Sequence, residues 1–211
     1  MNSAAGIPGN SSTFNWFNLD LTAPQPTQDA ELLKQLSFIP GLKEMILLRQ
    51  VHALEHATVW VLSETNSSSR KVQIDNELLG GLSTEQGFYL YGEVNISDLR
   101  RAVTLGLNRL INGEWDLAVH PRCGTNASVS ILLTAGMVLG VNLLLPFRPL
   151  EQLIGFGLAA TTAAELAPDL GSIAQRYLTT AIPFNLAIDN ITRTRDIWGR
   201  QGHFVKVSWK E

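Results

Sequence analysis

The sequence predicts an α+β protein: a small mixed α/β soluble domain attached to a helical transmembrane hairpin. Three observations predict it. A run with the periodicity of a strand, 87–94, alternates with amphipathic helical runs over 30–126. An uncharged stretch, 127–145, is long enough to cross a bilayer, and a second apolar run follows it. Charged residues make up 17% of the 211 residues, below the roughly 25% typical of soluble domains. The net charge of −3 gives no basic surface, so nucleic acid is not an expected partner. A single cysteine excludes an intrachain disulfide.

Four segments follow in order: a tail over 1–29, a metal-site α/β domain over 30–126, a membrane hairpin over 127–167, and a C-terminal helix and strand over 168–211 that pack back on the domain. The tail is rich in Asn, Ser, Thr, Pro and Gly, and its Trp16, Phe17 and Leu19 are candidates to dock locally on the protein or a membrane surface. It lacks the basic start and apolar core of a signal peptide, so membrane insertion is expected from an internal segment. A short helix is predicted over 30–39, ended by Ile39-Pro40-Gly41.

The next helix, 42–62, is apolar almost all round, which marks it as buried. It carries His52-x-x-Glu55-His56. Positions i, i+3 and i+4 share one helix face, so two imidazoles can hold one divalent ion while the carboxylate faces it. Glu55 could instead pair with Arg49, Arg109 or Arg122. A polar Ser-rich loop over 64–70 leads to a strand at 87–94. A helix follows, capped by Asn95 or Ser97 and carrying Leu99, Val103, Leu107 and Leu110 on one face. It stops at Asn112-Gly113. Trp115 to Val119 reads as a second strand delivering His120-Pro121-Arg122-Cys123-Gly124-Thr125-Asn126. Gly124 is expected to allow a tight turn, and Thr125 or Asn126 to cap the helix beyond it.

That helix contains Gly136 and Gly140, a G-x-x-x-G pair suited to a homo-oligomer or to a membrane-complex partner. Pro146 to Pro149 makes a turn, and Leu153 to Ala164 is the second apolar run, read as a spanning or re-entrant helix. Membrane lipid is therefore the expected surrounding. Arg148 is the only basic residue of the turn, which places the polar domain on the cytoplasmic side. A surface helix over 171–181, a polar connection over 192–202 and a terminal strand over 203–209 complete the chain. His203 is read as structural.

The two motifs together resemble those of the YqhQ-type family of uncharacterised bacterial membrane proteins, often described as predicted metal-dependent enzymes. Members carry H-x-x-E-H and then H-P-R-C-G-T-[NS] running into a transmembrane helix, matched here at 52–56 and 120–126. A weaker likeness follows in Gly171, Gln175, Thr179, Thr180 and Pro183. A smaller sister family of unassigned function, from photosynthetic bacteria, shares Gly87-Phe88, Arg109-Leu110 and Gly113-Glu114. The resemblance covers roughly residues 40–185. It implies a metal site and membrane insertion without naming a reaction.

His52, His56, His120 and Cys123 are thus the candidate ligands of zinc or another divalent transition metal. Two readings stay open. In a metal-dependent hydrolase, His52, His56 and His120 hold the metal, Glu55 activates water and Arg122 orients substrate. In a non-enzymatic membrane scaffold or assembly factor, a closed His₃Cys site pins the domain to the hairpin. Cys123 separates them, since a fourth protein ligand leaves no open position. The absence of a carboxylate at an obvious downstream spacing lowers the protease reading specifically.

Overall fold

The computed structural model describes residues 24–66, 77–144 and 148–210. The expectations for the tail up to residue 23, most of the Ser-rich loop and residues 145–147 of the hairpin turn lie outside the described residues.

Helix α1 spans Gln28–Gln35, close to the predicted short helix, and is tied to the next helix by Gln50 Nε2 donating to Asp29 Oδ2. That next helix, α2, spans Leu42–Asn66 and is the spine of the molecule. Val51, Ala53, Leu54, Ala57, Val59 and Val61 are all buried, because α2 is covered on opposite sides. Leu54 and Val51 pack beneath a sheet with Phe88, Leu90 and Val205, whereas Ala53, Ala57 and Trp60 meet Leu110, Leu117 and Ile182. Burying a large aliphatic side chain of this kind contributes about 1.5–3 kcal/mol.

The sheet has four antiparallel strands: β1 (Gly80–Thr84), β2 (Gly87–Tyr91), β3 (Leu186–Arg195) and β4 (Gln201–Trp209), in the order β1-β2-β4-β3. Between β2 and the hairpin lies α3 (Ile96–Ile111), whose N-cap Asn95 accepts from the Ser97 N–H at 3.0 Å. Gly106 on α3 lets it close on α2, since a Cβ there would lie 3.2 Å from the carbonyl carbon of Ala57.

Three expectations are corrected. Trp115–Ala118 is a 3₁₀ turn and not a strand. Its outgoing carbonyls are taken by α2: Trp60 Nε1 donates to Val119 O and His56 Nδ1 to Ala118 O, so no strand neighbour is needed. The predicted polar connection over 192–202 holds the end of β3 and the start of β4, polar because β3 lies at the sheet edge. The surface helix expected to begin after Pro168 is instead the continuation of α5.

Helix α4 spans Gly124–Leu144 and α5 spans Pro149–Ala174, passing through Pro168. The two pack on each other. The α5 residues buried in that hairpin are Gly155, Ala159, Ala163, Ala167 and Gly171, one small residue every four. Spacing of four keeps them on one face and allows close backbone approach. Leu153, Ile154, Leu158, Ile131, Leu132 and Leu139 are exposed. Among the described residues α4 alone is long and apolar enough to cross a membrane, and its most apolar stretch is nowhere buried against the rest of the chain. Added Cβ atoms on Gly136 or Gly140 would meet nothing, so α5 does not use that face.

Candidate metal centre

Adjacent turns of α2 place His52 and His56 side by side, with ring centroids 4.4 Å apart. Each ring is oriented by a backbone carbonyl. His52 Nδ1 lies 3.0 Å from Thr179 O, and His56 Nδ1 lies 2.7 Å from Ala118 O. A carbonyl only accepts, so both Nδ1 atoms carry a proton, and Nε2 is the nitrogen that presents a lone pair whenever the ring is neutral. This is the outer-shell arrangement that orients metal-binding imidazoles.

Cys123 completes the group. Its Sγ lies 3.3 Å from His52 Nε2. In a tetrahedral zinc site the corresponding edge would be ~3.6 Å. Donor atoms of His52, His56 and Cys123 all fall within 4.8 Å of one another, a set that could hold one metal ion. Cys123 also stands at the start of α4: its carbonyl accepts from the Asn126 N–H and its Sγ from the Thr125 N–H. Burial of the thiol opposes ionisation. The hydrogen bond and charge of His56, with the Thr125 N–H, outweigh that and hold the thiol below its ordinary value.

His120 lies beside this group and outside it. Its ring sits between Trp60 and His56, with centroids 4.7 and 5.6 Å away, and its Nδ1 accepts from the Arg122 N–H at 3.3 Å. The expected roles of the next residues also change. Gly124 has no positive φ, so it is not needed for a turn. Thr125 and Asn126 lie in the first turn of α4, where Asn126 Nδ2 donates back to Pro121 O.

Glu55 forms the neighbouring wall. Its Oε2 accepts from Ser83 Oγ at 2.5 Å, and Gly81 leaves open the space its other oxygen fills. Burial pushes the carboxyl above its ordinary value, an effect reduced by the Ser83 hydrogen bond and the charge of His52. Two of the arginines considered as partners are engaged elsewhere: Arg49 with the carbonyls of Tyr177 and Thr180, Arg109 with Glu64 and Glu114. Arg122 reaches the Leu79 and Glu77 carbonyls and lines the same cleft. That cleft has a volume of about 540 Å³, with His52, Glu55, His56 and Cys123 among its lining residues and Met45, Leu48 and Leu178 as large apolar ones.

The motifs alone do not reveal what clamps these loops together. After α5 the helix loosens into a π turn, Gln175–Thr179. Buried Gln175 accepts from the His120 N–H at 2.8 Å and donates to Asn126 Oδ1 at 2.7 Å. Gly171 makes room for that Asn126 side chain. Thr179 supplies the carbonyl for His52 and its hydroxyl meets that of Thr125. Replacing Gln175 by Leu leaves the buried His120 N–H and the half-buried Asn126 amide oxygen without this partner. We expect a loss of about 2–4 kcal/mol in denaturant unfolding of the full chain. An unchanged midpoint would show that the clamp contributes nothing.

A family profile described as "Domain of unknown function (DUF6391)" matches residues 47–191, spanning both motifs and the π turn. The chain belongs to that family. An uncharacterized protein of Picosynechococcus sp. is 50% identical over 198 residues, covering 93% of this chain and 94% of its own length. No solved structure matches the chain. The likeness to the YqhQ type rests on the two motifs and is not carried by these matches.

Proposed function

We propose that this chain is a zinc-dependent hydrolase whose catalytic domain is anchored to a membrane by the α4–α5 hairpin. The observation that carries the reading is the three-donor set of His52, His56 and Cys123, with both Nδ1 protons already committed to carbonyls, beside a cleft that Glu55 also lines. Three protein ligands and one open position are the pattern of catalytic zinc sites, and structural sites close the fourth. Two nitrogens and a thiolate suit zinc. When bound, the ion would supply Lewis acidity and lower the pKa of water. Glu55, buried and held by Ser83, would take the proton from that water, and Arg122 would orient an anionic part of the substrate.

The membrane part rests on an inverted pattern. Small residues line the inside of the hairpin and leucines cover the outside, the reverse of a soluble helical pair. Twenty-one residues of α4 span about 31 Å, a bilayer's hydrocarbon thickness. In this reading Cys123, at the start of α4, lies at the membrane surface, on the cytoplasmic side by the charge bias. The open Gly136/Gly140 face is free for a second helix.

Metal analysis of protein purified in detergent without chelator tests the reading. About one zinc per chain is expected, lost in His52→Ala/His56→Ala. X-ray absorption should find one sulfur ligand, and Cys123→Ser should remove it and weaken binding. Wild-type protein without metal would end the hydrolase reading. Four protein ligands including His120 would favour the scaffold.

A further inference from the structure

We propose that the substrate is an extended polypeptide that binds by adding a strand to the free edge of β1. This inference rests on the hydrolase reading, which supplies the chemistry, and adds what the cleft recognises.

β1 is the outermost strand, and among the described residues no strand lies on its other side. It also forms one wall of the cleft, through Gly80, Gly81, Leu82 and Ser83. In an antiparallel edge strand, alternate residues direct both N–H and C=O away from their neighbour. Thr84 and Gly87 are paired across a two-residue turn. Counting back from that closing pair puts Gly81 and Ser83 in the outward set. These are the two residues that hold Glu55: Ser83 donates to it, and Gly81 gives it space. A peptide paired with this edge would therefore run past the proposed base.

A row of alternating donors and acceptors matches another extended backbone, whereas a lipid chain would leave it unpaired. The Gly80-Gly81 pair removes side chains that would hold an incoming backbone away. Met45, Leu48 and Leu178 are exposed at the cleft and suit apolar side chains of the peptide. The missing downstream carboxylate no longer counts against a protease once Cys123 provides the third donor. The reaction is hydrolysis. The water oxygen bonds to the carbonyl carbon and the C–N bond breaks. One water proton passes through Glu55 to the amine nitrogen, and the other leaves with the new carboxyl group. Nothing is oxidised or reduced.

The test uses the full chain, zinc-loaded in detergent, with a random peptide library and mass spectrometry of new N-termini. Cleavage is expected with apolar residues flanking the break, and at least about 10²-fold less of it with Glu55→Gln. A cleaved sequence is then resynthesised with one backbone N-methyl group at successive positions. Strand addition predicts a KM about tenfold higher at alternate positions and unchanged between them. The zinc-loaded Glu55→Gln protein should show slowed amide exchange at Gly81 and Ser83 on adding the unmodified peptide. Effects without alternation, or exchange unchanged over residues 80–84, would overturn the proposal. A protein that leaves the library intact but releases fatty acid from phosphatidylglycerol vesicles would exclude the peptide substrate and keep the hydrolase. A zinc-free protein, or one that cleaves neither, would exclude both.

Discussion

Glu55→Gln is expected to leave the protein folded and zinc-loaded while lowering turnover by about 10²–10⁴-fold, the usual contribution of a general base. The amide has nearly the shape of the carboxylate, and its oxygen can still accept from Ser83 Oγ. It cannot take a proton from water. Burial already disfavours the ionised carboxylate, so its replacement by a neutral group should not reduce stability. None of the three proposed donors, His52, His56 and Cys123, is altered. Metal content and the denaturant midpoint measured on the same sample separate this from a folding defect. Full activity in Glu55→Gln would remove the base from the mechanism and leave Glu55 as a structural carboxylate beside β1.

How much of this could be read from the chain depends on where each residue finds its partners. Helices α2 and α3 were legible because their signals are local: a run apolar on all sides, and a cap followed by one apolar stripe. Strand β4 alternates openly, since its neighbours cover one face more than the other. Strand β1, Gly80–Thr84, has little intrinsic strand preference and exists because β2 pairs with it. In β3 a register shift between Ile188 and Asn190 interrupts the alternation, and its exposed end reads as a loop. Pro168 suggested a helix boundary, yet α5 continues, with Ser172 Oγ donating to the Pro168 carbonyl.

The same distinction holds at the site. His52, Glu55 and His56 share a helix face by spacing alone. Cys123 and His120 lie three residues apart, and the spacing offers both as ligands, with His120 as the third in the hydrolase reading. Tertiary contacts distinguish them: His120 packs against Trp60 and accepts from the Arg122 N–H, while the first turn of α4 directs Cys123 at His52. Gln175, Thr179, Gly81 and Ser83 reach the motif residues only through the fold. Gln175 and Thr179 had one signal, the weak likeness around Gly171 to Pro183. Gly81 and Ser83 had none, because a Gly-Gly-Leu-Ser-Thr stretch reads as connection.

Gly81→Ala gives the sharpest check on that silent residue. A methyl group there would occupy the space of the Glu55 carboxyl, so the side chain must retreat by on the order of 1 Å. Glu55 is buried and already bound to Ser83, which leaves it few directions to move. Misplacement of that size at a reacting group can cost about 10²-fold in rate. Zinc binding should persist, because the three donors lie on α2 and at the start of α4 and not on β1. Activity lost with metal retained would show that the glycine exists to admit the carboxylate. Since Gly81 is itself exposed and tolerates a negative φ, a simple backbone defect is not the expected cause of such a loss. A second substitution decides the matter. Glu55→Asp shortens the side chain by one methylene, and combined with Gly81→Ala it should relieve the overlap and recover part of the rate lost by Gly81→Ala alone. If the double variant is no better than either single one, the overlap is not what limits Gly81→Ala, and the role assigned to Glu55 at this wall of the cleft falls with it.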